Sequence, residues 1–245
     1  MRIIIFFALL CVYKVGFSQV YEIKYHHNAI YKPLKGEGFF SKQSPAYMAR
    51  VEKMFRKEAS RIRVFTLLFS GGKSKCSIEP YTILDDKKDF DARRVDGYGD
   101  FYKDFSKGYY VQVADFIGRN TAVREYFSEI FTWKLDQDRD TTIYGIPCKR
   151  ATTKYNGDPV VAWFAPSIPI MDGPMRYAGL PGLILRIETG SAITEVADIQ
   201  VLKNNNEGIV IPEKKKYISF KEMKESRSLT VKAKRIKKKD GQNHK

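Results

Sequence analysis

Short runs rich in apolar, β-branched and aromatic residues, some alternating with polar ones at a period of two, recur along this chain, and glycine, asparagine or proline interrupts them at short intervals. That pattern predicts strands with one face buried, joined by tight turns. Val20-Tyr21-Glu22-Ile23-Lys24-Tyr25-His26 begins the first strand. Residues 63–70 form a second, and Gly71-Gly72 turns it into a third over 75–81. Residues 109–115, 121–127 and 131–135 read as successive strands, with Gly118-Arg119-Asn120 turning the first pair. Residues 142–146, 149–155 and 160–164 continue the pattern, and Asn156-Gly157 is a hairpin signal because both residues tolerate positive φ. Strands over 183–188 and 193–202 complete the set. Residues 85–107, dense in charged and aromatic side chains, read as a long loop or excursion.

Two segments switch to helical periodicity. Ser44 is placed as an N-cap with Pro45 at the first helical position, and Tyr47, Met48, Val51, Met54 and Phe55 follow as an apolar stripe on a helix ending near Ser60. The expected role of that stripe is core packing. Near the C-terminus, Ser219 and Glu222 have the spacing of a capping box, and Phe220, Met223, Arg227 and Val231 follow at helical spacing. The expected architecture is mainly β: a single antiparallel, curved, half-open sheet with one early helix and a basic C-terminal helix, with a β-sandwich as the alternative.

One stretch departs from both periods. Pro166, Pro169, Pro174 and Pro181 crowd into the connection between two strands, removing backbone donors and fixing φ. Gly179 and Gly182 are expected at positive φ or where backbone passes close to a neighbour. Asp172 and Arg176 are the only acid and base among these prolines. The stretch is expected to be a rigid structural corner, with a ligand-lining loop as the minor alternative.

Gly179-Leu180-Pro181-Gly182-Leu183-Ile184 resembles, letter for letter, the motif that names the GLPGLI family of Bacteroidetes proteins. The runs Ile143-Tyr144-Gly145-Ile146-Pro147-Cys148-Lys149-Arg150-Ala151 and Trp163-Phe164-Ala165-Pro166-Ser167-Ile168-Pro169 extend the resemblance over roughly residues 130–190. It implies a Porphyromonas-type exported protein, mainly β and of unassigned activity, with no catalytic residue to carry over. The expected sheet is similar to lipoprotein-carrier folds, which can cup an apolar ligand. Some relatives resemble the bowl-shaped N-terminal domain attached to a peptide-N-glycosidase, a fold-level likeness that suggests glycan or protein docking.

The first residues read as an address. Arg2 precedes an apolar run from Ile3 to Val12, and Gly16 and Ser18 stand at the positions that precede cleavage before Gln19. The run is too short for a spanning helix, which needs about 20 residues. The expected organisation is a signal peptide over 1–18, an antiparallel β domain over 19–212 and a basic helix and tail over 213–245. Export to the periplasm, or to the periphery of the outer membrane, follows from that reading. Removing residues 1–18 takes away Cys11 and leaves Cys76 and Cys148, which are open to one disulfide or to two separate buried thiols.

Charge refines the class. Of the net +15, residues 213–245 carry +9 through thirteen cations against four acids, and residues 1–18 carry +2. The body is therefore only mildly basic, at +4, which argues against nucleic acid as partner. The tail fits solvent or an anionic membrane surface.

Local chemistry is sparse. Gly72-Lys73-Ser74 lacks the glycine that a phosphate-binding loop needs at the position of Leu67. Asp136, Asp138 and Asp140 begin like a calcium loop, but Thr141 and Pro147 stand where glycine and glutamate belong, so a hairpin turn is expected there. His26 and His27 are adjacent on a strand and face opposite ways. They are expected at the surface, and any histidine-based apparatus must use one of them, because His244 lies in the tail. No catalytic, cofactor-binding or metal-ligating residue is assigned, and no cofactor. The sequence therefore predicts a non-catalytic envelope binding or scaffold protein, with outer-membrane transport machinery as a candidate partner. A carrier of an apolar or lipid-like ligand and an undetected hydrolase are the alternatives.

Overall fold

The computed structural model describes residues 19–33, 43–79, 99–116, 119–202, 208–214, 216–223 and 225. Eleven strands form one antiparallel sheet: β1 (Val20–Ala29), β2 (Ile62–Ser70), β3 (Lys73–Ile78), β4 (Asp100–Asp104), β5 (Tyr109–Phe116), β6 (Arg119–Tyr126), β7 (Lys134–Ile143), β8 (Ile146–Tyr155), β9 (Asp158–Ala165), β10 (Leu183–Thr189) and β11 (Ala192–Leu202). Helix α1 (Pro45–Ala59) joins β1 to β2, and the single turn α2 (Phe127–Ile130) follows β6. Among the described residues, no helix is long and apolar enough to cross a membrane.

The sheet order is β6-β5-β4-β3-β2-β1-β11-β10-β9-β8-β7, two meanders meeting where the first strand pairs with the last. Positive φ at both central residues sets three of the hairpins: 56° and 73° at Gly71-Gly72, 54° and 72° at Tyr144-Gly145, 52° and 91° at Asn156-Gly157.

Connectivity forces the sheet to curve. Strands β6 and β7 lie at opposite edges, and ten ladder spacings of about 4.8 Å would hold them roughly 48 Å apart in a flat sheet. The link between them is residues 127–133, which even fully extended reaches about 28 Å at most. The edges are drawn together, yet β6 and β7 do not pair, so the sheet stays half-open. The expected curved single sheet is the architecture, and the sandwich alternative is not.

Residues 166–182 fill the concave side. Ile170, Met175, Tyr177 and Leu180 are buried in one cluster with Tyr25, Phe65, Phe101, Tyr110 and Ile187. Lys103 on β4 and Asp172 in this connection, both without solvent exposure, form an ion pair. The Lys103 ammonium also donates to the carbonyl oxygens of Gly173 at 2.6 Å and Tyr177 at 3.3 Å. Gly182 is required by close approach, since a Cβ there would stand 2.3 Å from the Ala165 carbonyl oxygen. Gly179 has φ +90°, and Trp133 Nε1 donates to the neighbouring Ala178 carbonyl at 2.9 Å. The proline-rich stretch is an irregular connection between β9 and β10, as its composition predicted, but it packs into the concave core instead of only turning a corner.

Four local expectations need correction. Residues 99–107 of the expected loop contain β4, because strand formation there is set by burial between β3 and β5 and not by alternation: Phe101, Tyr102, Lys103 and Asp104 are all buried. The remainder of that loop, 85–98, lies outside the described residues. Asp136–Asp140 is no hairpin turn but an irregularity within β7, where Asp136 accepts from Arg150 at 2.9 Å and Asp140 from Lys149 at 2.7 Å. Arg119 and Asn120 belong to β6, paired with Phe116 and Asp115. The α1 stripe does not enter the core: Tyr47, Met48 and Val51 are half-buried, and Met54 and Phe55 are exposed. Its N-cap is as expected, with Ser44 Oγ accepting the Tyr47 N–H at 3.2 Å. Cys76 and Cys148 are both buried and free, the second of the two states that their count left open.

The C-terminal capping box forms. The Glu222 carboxylate accepts the Ser219 N–H at 2.7 Å, and Ser219 Oγ accepts the Glu222 N–H at 3.1 Å. Just before it, Ile218 bridges Val123 in parallel, laying this segment along the outer edge of β6. Arg227 and Val231 lie outside the described residues.

Candidate functional site

The inward face of the central strands changes character toward one end of the sheet. On β2 the inward row runs from Leu67 and Phe65 to Arg63, on β1 from Ile23 and Tyr25 to His27, and on β11 from Val196 to Thr194. Pairing register then aligns the polar ends: His27 stands opposite Arg63 on one side and Thr194 on the other, and Thr194 stands opposite Ile187 on β10. All three polar residues are buried. A strand residue of this parity cannot face solvent without turning its whole apolar row outward, so the core pattern itself carries these groups inside.

These residues floor a pocket of about 630 Å³, within the range of roughly 300–1,000 Å³ usual for small-molecule sites. Met175, Arg176 and Tyr177 from the proline-rich connection, Tyr155 at the end of β8 and Phe220 from the C-terminal segment also line it, and Lys32 stands at its rim. The Arg176 guanidinium lies 5.4 Å from the Phe101 ring centre, 4.9 Å from Tyr155 and 5.5 Å from Phe220. Strands β4 and β8, which carry Phe101 and Tyr155, are seven ladder spacings apart. That is about 34 Å across a flat sheet, so Arg176 sits where the curve brings distant strands together. Phe220 is held in place by its N–H, which donates to Glu125 Oε1 at 3.3 Å, and by its ring packed on Tyr155 at 5.8 Å.

The electrostatics are one-sided. Among the described residues, Lys32, Arg63 and Arg176 line the pocket against a single carboxylate, Asp158. His27 adds no charge at neutral pH: burial, aided by the Arg63 cation, lowers its pKa to about 4. Its Nδ1 is hydrogen-bonded to Thr194 Oγ1 at 2.8 Å. Among the described residues, neither Arg176 nor Lys32 has a carboxylate within ion-pair distance, and Arg176 Nε is buried without a hydrogen-bond partner. Such a site can hold an anion. It supplies no general base poised near neutrality from histidine.

The two histidines face opposite ways as expected, with His26 exposed and His27 buried in the pocket, so the surface expectation fails for His27. Gly72-Lys73-Ser74 opens β3 at a hairpin turn. Among the described residues no group of three His, Cys, Asp or Glu is placed to hold a metal. His244 lies outside the described residues. Gly179–Ile184 is absent from the lining, but Arg176, three residues before it, forms the roof. The sequence signal for Arg176 was its isolation: a lone cation among prolines and apolar residues.

A family described as protein of unknown function (Porph_ging) matches residues 109–186, a span that contains the Gly179–Ile184 motif. The match agrees over that span with the expected Porphyromonas-type family of unassigned function and does not confirm the GLPGLI name. No curated protein matches the chain. Among solved structures, PNGF-II in two space groups is similar with TM-scores of 0.47 and 0.46 at 18% and 17% identity. Each likeness covers 77% of this chain but only 28% and 29% of PNGF-II. A LolA-superfamily protein from Nitrosomonas europaea is similar with TM-score 0.27 and 9% identity, covering 77% of this chain and 88% of its own.

Proposed function

We propose that this chain is an exported, non-catalytic binding protein of the cell envelope, and that its ligand occupies the pocket beneath Arg176. The observation that carries the reading is the arrangement of Arg63, His27 and Thr194 in register on three neighbouring strands, opposite a roof of Arg176 and Phe220. His27 and Thr194 satisfy each other across the strands, and this polar end of the apolar row opens into a concavity of small-molecule size. The hydrolase alternative is disfavoured by a neutral His27 bonded to a threonine instead of a carboxylate. A carrier with a deep apolar cavity is disfavoured by the fully buried side chains of Leu180, Leu183, Phe65 and Phe101, which fill the space under the connection.

The chain produced in an envelope-bearing host and purified from the periplasm should retain a small molecule, seen as added mass by native mass spectrometry. Arg63→Ala should lose that mass while keeping the wild-type circular dichroism spectrum. Absence of any retained mass, together with turnover of ester or glycan substrates that Arg63→Ala abolishes, would sink the reading.

A further inference from the structure

Resting on the binding reading above, we infer that the pocket selects an amphipathic ligand by its oxyanion, a carboxylate or a phosphate carried on an apolar chain or ring. Arg176 is half-buried with its Nε shielded from solvent, and a guanidinium drawn out of water in this way gains from an anion paired with it. Arg176 has three aromatic neighbours and, among the described residues, no carboxylate within ion-pair distance; Glu125 acts on it from further away but its two oxygens accept from Tyr110 and the Phe220 N–H, and Arg176 Nε has no acceptor. The rings offset part of the desolvation cost and orient the planar fork without consuming its in-plane donors. Lys32, beside Gly190 at the rim, and Arg63 on the floor place two further cations on the same pocket. The lone carboxylate, Asp158, leaves the lining net positive.

The remaining lining suits the other half of such a ligand. Val160 and Ile187 on the sheet and Tyr155 and Phe220 opposite offer apolar and ring surface beside the cations. A neutral hydrocarbon would leave the Arg176 guanidinium without an anion, and a small inorganic anion would leave the rings uncovered. An amphiphile satisfies both.

Two fluorescent probes that differ only in charge test this: anilinonaphthalene sulfonate and its uncharged parent, N-phenylnaphthylamine. The sulfonate should bind the purified protein at least about tenfold tighter, as expected for a charge-assisted contact with a guanidinium, and the advantage should shrink with added salt. Arg176→Gln should remove most of the advantage and Arg176→Lys should restore part of it. Because Arg176 is packed among rings, the rim variant Lys32→Met provides a second reading that does not disturb the core, and it should weaken the sulfonate several-fold. Octanoate and octyl phosphate should displace the bound sulfonate, their relative strength separating the two sources of oxyanion, while octanol should not. Equal binding of the two probes, or displacement by octanol as effective as by the anions, overturns the oxyanion inference and leaves the binding reading standing. Failure of the binding reading is decided separately, by the retained-mass and turnover measurements.

Discussion

Lys103 on β4 and Asp172 in the connection between β9 and β10 form an ion pair that solvent does not reach, and the same ammonium ties down two carbonyls of that connection. The pair fixes the segment that carries Arg176. Removing one partner leaves the other charged and buried, which costs about 3–5 kcal/mol. Asp172→Asn and Lys103→Met should each lower unfolding free energy by that order in urea denaturation. The double variant should cost much less than their sum, and full additivity would refute the coupling.

His27 predicts a particular dependence on pH. Its pKa in the folded protein is lowered to about 4 from an ordinary 6.5, so between those values the unfolded chain binds the proton and the folded chain does not. Stability from this group is complete above about pH 6.5, falls as pH drops towards 4 and levels off below, a loss of up to about 3 kcal/mol. His27→Gln should flatten the stability profile across that window. A variant whose profile still parallels the wild type would show that other groups carry the dependence.

Burial raises the Cys76 thiol to about 11, even with the Lys103 cation nearby, and burial also raises Cys148. Since the thiolate is the reactive form, neither residue should react appreciably with a disulfide reagent at about pH 8 in the folded protein. Both should titrate in denaturant. A reductant should leave the unfolding midpoint unchanged, whereas a midpoint that falls on reduction would mean a disulfide had formed.

Two glycines compare conformational strain alone with strain and collision together, since Gly182 also has a positive φ of +154°. Gly72 has φ +73°, and a Cβ placed there would meet nothing within 4 Å, so Gly72→Ala should cost only the left-handed strain, about 1–2 kcal/mol. At Gly182 the added carbon would stand 2.3 Å from one carbonyl oxygen, and Gly182→Ala should cost about 3 kcal/mol or more. Thermal unfolding of the two variants side by side checks the ordering, and equal losses would contradict it.

What could be read in the sequence follows from which forces are local. Asn156-Gly157 and Gly71-Gly72 announced their turns because positive φ is a property of the residues themselves. Ser44 and the Ser219–Glu222 pair announced helix starts for the same reason. Strand β4 was hidden because Lys103 and Asp104 carry charge, and the burial of Lys103 is compensated by partners far along the chain. Asp136–Asp140 looked like a turn because polar clusters usually are, but Arg150 and Lys149 on β8 hold it in register. The α1 stripe had the right period and no core to meet. At the site, His27 was visible only as a histidine on a strand, since its environment depends on Arg63 and Thr194 aligning across three strands. Arg176 needed the curvature of the sheet before Phe101 and Tyr155 could share it.

The seam between β1 and β11 has a kinetic consequence. Each meander can form from hairpins between near neighbours, but the seam pairs Val20 with Leu202 and must wait until almost the whole strand region has been made. Such distant closure is slow and comes at a high entropic cost. His27 and Thr194 face each other across that same seam. The pocket floor therefore cannot exist in a chain that has folded only one of its halves, and its assembly reports the completed fold.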